Sequence, residues 1–276
     1  ASWTGAPGKP TVLFYGHYDV QPAAKEDGWN TEPFEPERQG DRLLGRGTAD
    51  DKGQVHAHVA AVASLMEVRG SLPCNVKFIV EGEEEAGSEH TESLIRDNAD
   101  RFACDAVVIS DSPMFAEGAP SLCVGLRGIA VGEVTVHGPS QDLHSGSFGG
   151  GVSNPANLLA QMLGKLHDDD GRVAIDGFYD DVRELSPEQR QALEKLPFDE
   201  AKWLKTTGAP EVAGEAGYST VERIWARPTC DVNGLVSGYT GEGVKAIVPR
   251  SATAKLSCRL VADQKPERVL NQLEAF

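Results

Sequence analysis

Residues 11–19 read Thr11-Val12-Leu13-Phe14-Tyr15-Gly16-His17-Tyr18-Asp19: a run of β-formers that passes straight into an imidazole and a carboxylate. A short, unbroken apolar run is the pattern of a strand covered on both faces, as strands of parallel sheets are. Downstream, a polar, Pro-containing loop is expected over 21–48. A helix follows from Asp51 to Val68, with Val55, Val59, Val62, Leu65 and Met66 on one stripe and Gly70 and Pro73 ending it. A second strand, Val76–Val80, feeds the acidic run Glu81-Gly82-Glu83-Glu84-Glu85; a short helix is expected over 89–98. A third strand, Ala106–Ile109, ends at Ser110-Asp111. Strand–helix–strand–helix–strand with fully buried strands predicts an α/β fold on a mostly parallel sheet. Ligands of such sheets collect beyond the carboxyl ends of the strands, so the polar residues after the three strands are expected to share one site.

Beyond about Leu126 the texture changes. Residues 129–137 alternate like an antiparallel strand, and helices are expected over 154–167 and along a polar stretch at 180–206. Strands over 230–236 and 253–261 and a helix starting at Pro266 close the chain. This is α+β, built on a different plan, and it predicts two domains, 1–126 and 127–276. No internal repeat or low-complexity segment interrupts them.

The 276 residues carry 42 Asp+Glu against 26 Lys+Arg, a formal charge of −16, with no basic cluster. That balance argues against nucleic-acid and anionic-membrane partners. No apolar run approaches the roughly 18 residues of a membrane span. Cys74, Cys104, Cys123, Cys230 and Cys258 are scattered, odd in number and never spaced C-x-x-C. They form neither a disulfide framework nor a thiolate zinc site, and the reading is a reducing cytoplasm. No charged-then-apolar signal segment follows Ala1, and the lack of a Met there suggests a trimmed beginning.

The three strand ends deliver His17 and Asp19, two apart and so on one side of an extended chain, then Glu83, Glu84 and Glu85, then Asp111. Asp50 and Asp51 follow the Gly-rich segment Gly45-Arg46-Gly47-Thr48-Ala49. Singly, each has an ordinary reading: a hydrogen-bonded histidine, a solvated acidic face, a helix N-cap. Together at successive strand ends, one imidazole and several carboxylates repel unless divalent cations neutralise them. Histidine with carboxylate oxygen and no thiolate suits zinc, manganese or cobalt in an open catalytic site. Two such metals generate hydroxide and polarise a carbonyl, and a spare carboxylate can act as general base.

Four segments, Gly16–Val20, Gly45–Gly53, Glu84–Ser88 and Ser110-Asp111, resemble the metal-site motifs of the di-zinc aminoacylase/carboxypeptidase superfamily of metallopeptidases. Asp142-Leu143-His144-Ser145-Gly146 and the segment 238–250 resemble its carnosine-type dipeptidase branch, and the similarity runs from about Pro10 to the end. The resemblance implies two zinc ions. His17 and Asp111 would bind one, Asp50 would bridge both, Glu85 would bind the second, and Glu84 would be the general base. Asp19 would fix the His17 tautomer without being a ligand. Glu83 falls outside the motif and is expected to be solvated.

The second domain would be a lid that also dimerises, inserted into the catalytic domain. His144 would reach into the partner subunit's site to stabilise the tetrahedral oxyanion, the alternative being an ordinary loop histidine. Arg250 would grip the substrate's terminal carboxylate. Asn233 would assist it or form a turn beside Gly234. His56, His58, His90, His137 and His167 are expected to be structural, with His56 and His58 on the long helix away from the motif.

Superfamily members carry a further ligand histidine late in the chain and an N-terminal segment before the first strand. Neither is matched by this sequence, which implies a partial catalytic domain with a nearly complete lid. One zinc then keeps His17, Asp50 and Asp111, and the other only Asp50 and Glu85. The implied activity is metal-dependent hydrolysis of the amide bond of dipeptides or similar small carboxylate-bearing substrates by a homodimer. The alternatives are an N-acyl-amino-acid deacylase and, for this chain, a non-catalytic dimerisation or metal-binding module.

Overall fold

The run at 11–17 forms a strand flanked on both sides in the computed structural model, which describes residues 1–116 and 118–276. The chain divides into two units, Ala1–Leu122 and Cys123–Phe276. In the first unit the order is β1 (Ser2–Trp3), β2 (Thr11–His17), β3 (Glu37–Gln39), β4 (Arg42–Leu44), α1 (Lys52–Arg69), β5 (Asn75–Glu81), α2 (Thr91–Asp97), α3 (Ala99–Phe102) and β6 (Ala106–Ile109). The sheet order is β1-β5-β2-β6, with β2 parallel to both β5 and β6 and only β1 antiparallel. Register sets His17 opposite Glu81 and Tyr15 opposite Ile109, so three strands finish at one edge and deliver their polar followers there.

Leu13, Val76 and Ile79 are buried in the sheet, and Phe14 stacks on Phe78. Two expectations need correction. The third strand is not fully buried: Val107 and Ile109 of β6 are 53% and 62% exposed, because β6 is an edge strand bonded only to β2. The packed stripe of α1 is Val55, His58, Val62, Leu65 and Met66, while Val59 is exposed. The helix is rotated toward the sheet on its His58 side, so a polar residue occupies a place assigned to an apolar one. The stretch 21–48 is also more than a loop, since β3 and β4 pair as a short hairpin within it.

The second unit runs β7 (Gly128–His137), β8 (Leu143–His144), α4 (Ser145–Phe148), α5 (Pro155–Leu163), α6 (Pro187–Glu194), α7 (Glu200–Thr207), α8 (Thr220–Trp225), β9 (Thr229–Ser237), β10 (Ile247–Val248), β11 (Ser251–Leu260) and α9 (Pro266–Ala275). An antiparallel sheet, β7-β11-β9, carries its core on one face of β11: Ala252, Ala254, Leu256, Cys258 and Leu260 alternate inward. They pack with Leu159, Leu166, Phe178 and Val269. Asn154 caps α5, with Pro155 at its first position. The expected helical stretch at 180–206 is two helices, because Pro197 interrupts it and Asp199 caps the second. Behind α8, whose Ser219 and Glu222 form a capping box, Arg227 and Glu215 are 2% and 5% exposed. They make a bidentate pair at 2.7 and 2.8 Å, flanked by the Tyr179 and Tyr218 rings. Among the described residues no helix is long and apolar enough to cross a membrane.

Candidate metal centre

His17 is the last residue of β2, and its side chain is 0% exposed. Its Nδ1 lies 3.1 Å from the Asp19 carbonyl oxygen and 3.3 Å from Asp19 Oδ1. A proton on Nδ1 donated to Asp19 leaves Nε2 facing Asp50 Oδ1 at 3.0 Å and Asp111 Oδ2 at 3.8 Å. Burial pulls the His17 pKa down. The charges of Asp111, Glu84 and Asp50 and the Asp19 carbonyl outweigh it and leave the pKa raised. The field that would hold a proton there is the field that would hold a cation.

Asp19 links the first strand end to the second. Its Oδ1 accepts from the Glu84 amide at 3.3 Å and its Oδ2 from the Glu85 amide at 2.9 Å. Burial works against its charge, yet main-chain donors, the Glu85 amide foremost, hold its carboxyl below the usual range. Glu84 and Glu85 open a single 3-10 turn, Glu84–Ala86, which Gly87 ends at φ +98°, a conformation suited to glycine. Gln21 Nε2 donates to Glu85 Oε2 at 2.9 Å. Burial raises the pKa of Glu84 and of Asp111, with neighbouring carboxylates adding to it and His17 opposing. Asp50 is exposed, whereas Asp51 is 1% exposed and does not cap α1 with its side chain. Instead Asp51 Oδ2 accepts from the His17 amide at 3.2 Å, and its Oδ1 has no partner among the described residues.

Two sets of three donor atoms lie within 4.8 Å of one another: His17, Glu84 and Asp111, and His17, Asp50 and Glu85. Each offers one imidazole and two carboxylates, the donor count of an open zinc site. They share His17, whereas the resemblance implied a shared Asp50 and placed Glu84 outside the ligands. Glu83, expected to be solvated, is only partly exposed and pairs with His90 Nδ1 at 3.0 Å, away from both sets.

Sequence reasoning placed His58 away from the motif, and the structure corrects this. His58 Nε2 lies 2.8 Å from Ser110 Oγ, next to Asp111, and its ring packs on Phe14. Its place three residues after Val55, on the packed face of α1, was the available signal.

The remaining expected site residues belong to the second unit. His144 ends β8 opposite Ile247 of β10, and its Nδ1 accepts from the Gly146 amide at 3.0 Å. Arg250 follows β10; its amide donates to Asp142 Oδ1 at 2.9 Å, its carbonyl accepts from Gly138, and the residue is exposed. Asn233 is not in a turn. Lys255 pairs with Gly234 and Leu256 with Val232, which leaves Asn233 out of the ladder as a β-bulge. Bulges re-aim side chains, commonly beside functional sites.

The profile of the Peptidase family M20/M25/M40 matches residues 13–257, and the chain belongs to this family. Beta-Ala-His dipeptidase of Rattus norvegicus is 36% identical over 269 residues, 97% of this chain and 55% of that protein. Cys-Gly metallodipeptidase dug1 of Schizosaccharomyces pombe is 36% identical over 267 residues, 95% of this chain and 56% of that protein. The crystal structure of the M20 family metallo-carboxypeptidase Sso-CP2 from Sulfolobus solfataricus superposes with a TM-score of 0.87 at 37% identity, covering 100% of this chain and 62% of that one. The motif resemblance and the α/β fold with a parallel-containing sheet are thus borne out. The chain spans about half the length of the curated relatives it matches.

Proposed function

We propose that this chain provides the metal centre of a hydrolase that cleaves the amide bond of dipeptides and similar small substrates ending in a carboxylate. The observation that carries this is one buried imidazole, His17, within reach of two carboxylate pairs. The residues present fit one divalent cation, zinc first and manganese or cobalt as substitutes, held by His17, Asp50 and Asp111, and they supply two carboxylates, Asp50 and Glu85, toward a second. Such cations supply a hydroxide near neutral pH and polarise a carbonyl.

The other side chains do the rest. Asp19 keeps the Nδ1 proton on His17, so that Nε2 presents its lone pair. Glu84, half-buried on its turn, accepts a proton from the attacking water and returns it to the leaving nitrogen as the C–N bond breaks. The water oxygen ends on the acyl carbon. The second unit serves as lid and homodimer surface: His144 of the partner subunit stabilises the oxyanion, Arg250 takes the terminal carboxylate in its guanidinium fork, and Asn233 assists from its bulge.

The dipeptides in the relatives' names end in a free carboxylate, and a carboxypeptidase reads the same group. All five cysteines are free thiols, which supports a reducing cytoplasm. The test is Glu84→Ala in the dipeptide-hydrolysing enzyme: turnover is lost while zinc content stays the same. Turnover that survives the change removes Glu84 as the base. Preference for an N-acyl amino acid over an unblocked dipeptide would make the enzyme a deacylase.

A further inference from the structure

Behind the metal centre lies a carboxylate that neither metal set uses. Glu81 is the last residue of β5, half-buried, opposite His17 in the sheet register. Three hydroxyls converge on it. Tyr15 donates its phenol to Oε1, Ser88 donates to Oε2 at 3.0 Å, and Thr91 donates to Oε2 at 2.7 Å. The Glu81 carbonyl also accepts from the Tyr18 amide at 2.9 Å. Three O–H donors on two oxygens are what an ionised, acceptor-only carboxylate calls for.

The donors come from three segments. Tyr15 lies on β2 two residues before His17, Ser88 just past the turn that carries Glu84 and Glu85, and Thr91 at the start of α2. Among the described residues, Ser88 is one of two non-glycine residues with positive φ, at +52°, a conformation that needs outside support. Its hydroxyl bond to Glu81 and its amide bond to the Glu83 carbonyl at 2.8 Å supply that support. The turn is therefore gripped at both ends. Asp19 holds the Glu84 and Glu85 amides at its start, and Glu81 holds Ser88 and Thr91 at its finish.

We propose that Glu81 is a positioning residue, whose carboxylate registers the 83–88 turn against β2 so that Glu84 and Glu85 face His17. Without it the turn keeps its connection to Asp19 but loses its far anchor. The two glutamates then sample orientations in which their oxygens do not converge with the imidazole. The inference rests on the metal reading of the site, but its local claim, that Glu81 orders this turn, stands apart from that reading.

The test uses this chain with cobalt(II) as a coloured stand-in for the divalent ion. Two variants are compared with the parent: Glu81→Gln, which keeps shape and one acceptor, and Ser88→Ala/Thr91→Val, which removes the donors from the turn side and leaves the strand untouched. Expected for both are a loss of cobalt affinity of roughly 10–100-fold, a changed visible cobalt spectrum, and faster hydrogen exchange at the Ala86, Gly87 and Ser88 amides, whose bonds close the far end of the turn. A purely structural role predicts a lower melting temperature with affinity, spectrum and local exchange unchanged in the folded protein, and that result overturns the proposal. If the parent chain binds no cobalt, the metal reading fails on its own, and amide exchange still decides the claim about Glu81. Should Glu81→Gln fail to fold, the Ser88/Thr91 variant carries the comparison.

Discussion

Replacing Asp19 by alanine tests whether the metal centre is built by its ligands or by what holds them. The side chain is 19% exposed and makes three polar contacts: to the His17 ring at 3.3 Å and to the Glu84 and Glu85 amides at 3.3 and 2.9 Å. A hydrogen bond to a charged acceptor is worth about 1.5–3 kcal/mol. Water reaches this edge and replaces part of that, so the net loss of folding stability is set at about 1–2 kcal/mol. The cost to cation binding is larger in proportion, because the glutamate turn is released, while the Asp19 carbonyl at 3.1 Å still holds the His17 Nδ1 proton. Loss of such supporting groups lowers metal affinity roughly 10–100-fold, and at 1.4 kcal/mol per decade that is about 1.4–2.8 kcal/mol. Calorimetric titration of zinc into the parent and Asp19→Ala chains measures it, with nitrogen NMR of His17 reporting which ring nitrogen carries the proton. Asp19→Asn, which keeps one acceptor oxygen, should fall between the two. Zinc affinity of Asp19→Ala within about a factor of two of the parent would refute the reasoning, whatever happened to stability.

A methyl group at Gly16 would sit 2.3 Å from Val55 Cγ2 and 2.6 Å from Asp51 Oδ2. Gly16→Ala should therefore cost about 1–3 kcal/mol in urea unfolding, and Val55→Ala on top of it should recover part of the loss. Arg227→Ala leaves the buried Glu215 with Arg172 as its ion-pair partner among the described residues, and a loss of about 3–5 kcal/mol in the second unit is expected by chemical denaturation. Tyr179 has its pKa raised chiefly by burial, so its neutral form is favoured in the folded state. Its contribution is fully present below the unfolded value near 10 and is lost as pH rises through the folded one. Denaturant midpoints across that range should fall less steeply for Tyr179→Phe than for the parent, and parallel curves would contradict this.

Local patterns were legible where one residue's chemistry settles its own conformation. The β-former run at 11–15, the alternation along 129–137 and the helix start at Pro266 needed no partner to be read. Pro197 and Asp199 also mark the break between α6 and α7, although the polar stretch around them reads as one helix. Edge position was not legible: β6 has the composition of a buried strand, and only its place in the sheet exposes Val107 and Ile109. The same holds for Asn233, which beside Gly234 reads as a turn until its neighbours are seen paired with β11 on either side.

The sequence by itself determined which groups stand at the ends of three strands, because the period of a strand and the order of the elements place His17, the Glu84-Glu85 pair and Asp111 without reference to anything distant. It also determined the family, through motifs short enough to be read in place. Only the tertiary structure decided which oxygens meet the imidazole. Convergence within 4.8 Å depends on parallel register, on the rotation of α1 that brings His58 to Ser110, and on two carboxylates, Asp19 and Glu81, that grip one turn from opposite ends. Apart from the Glu81 bonds to Ser88 and Thr91, 7 and 10 positions on, those contacts join residues tens of positions apart, and no local rule encodes them: they follow from packing, where a shift of about one ångström separates a ligand from a bystander.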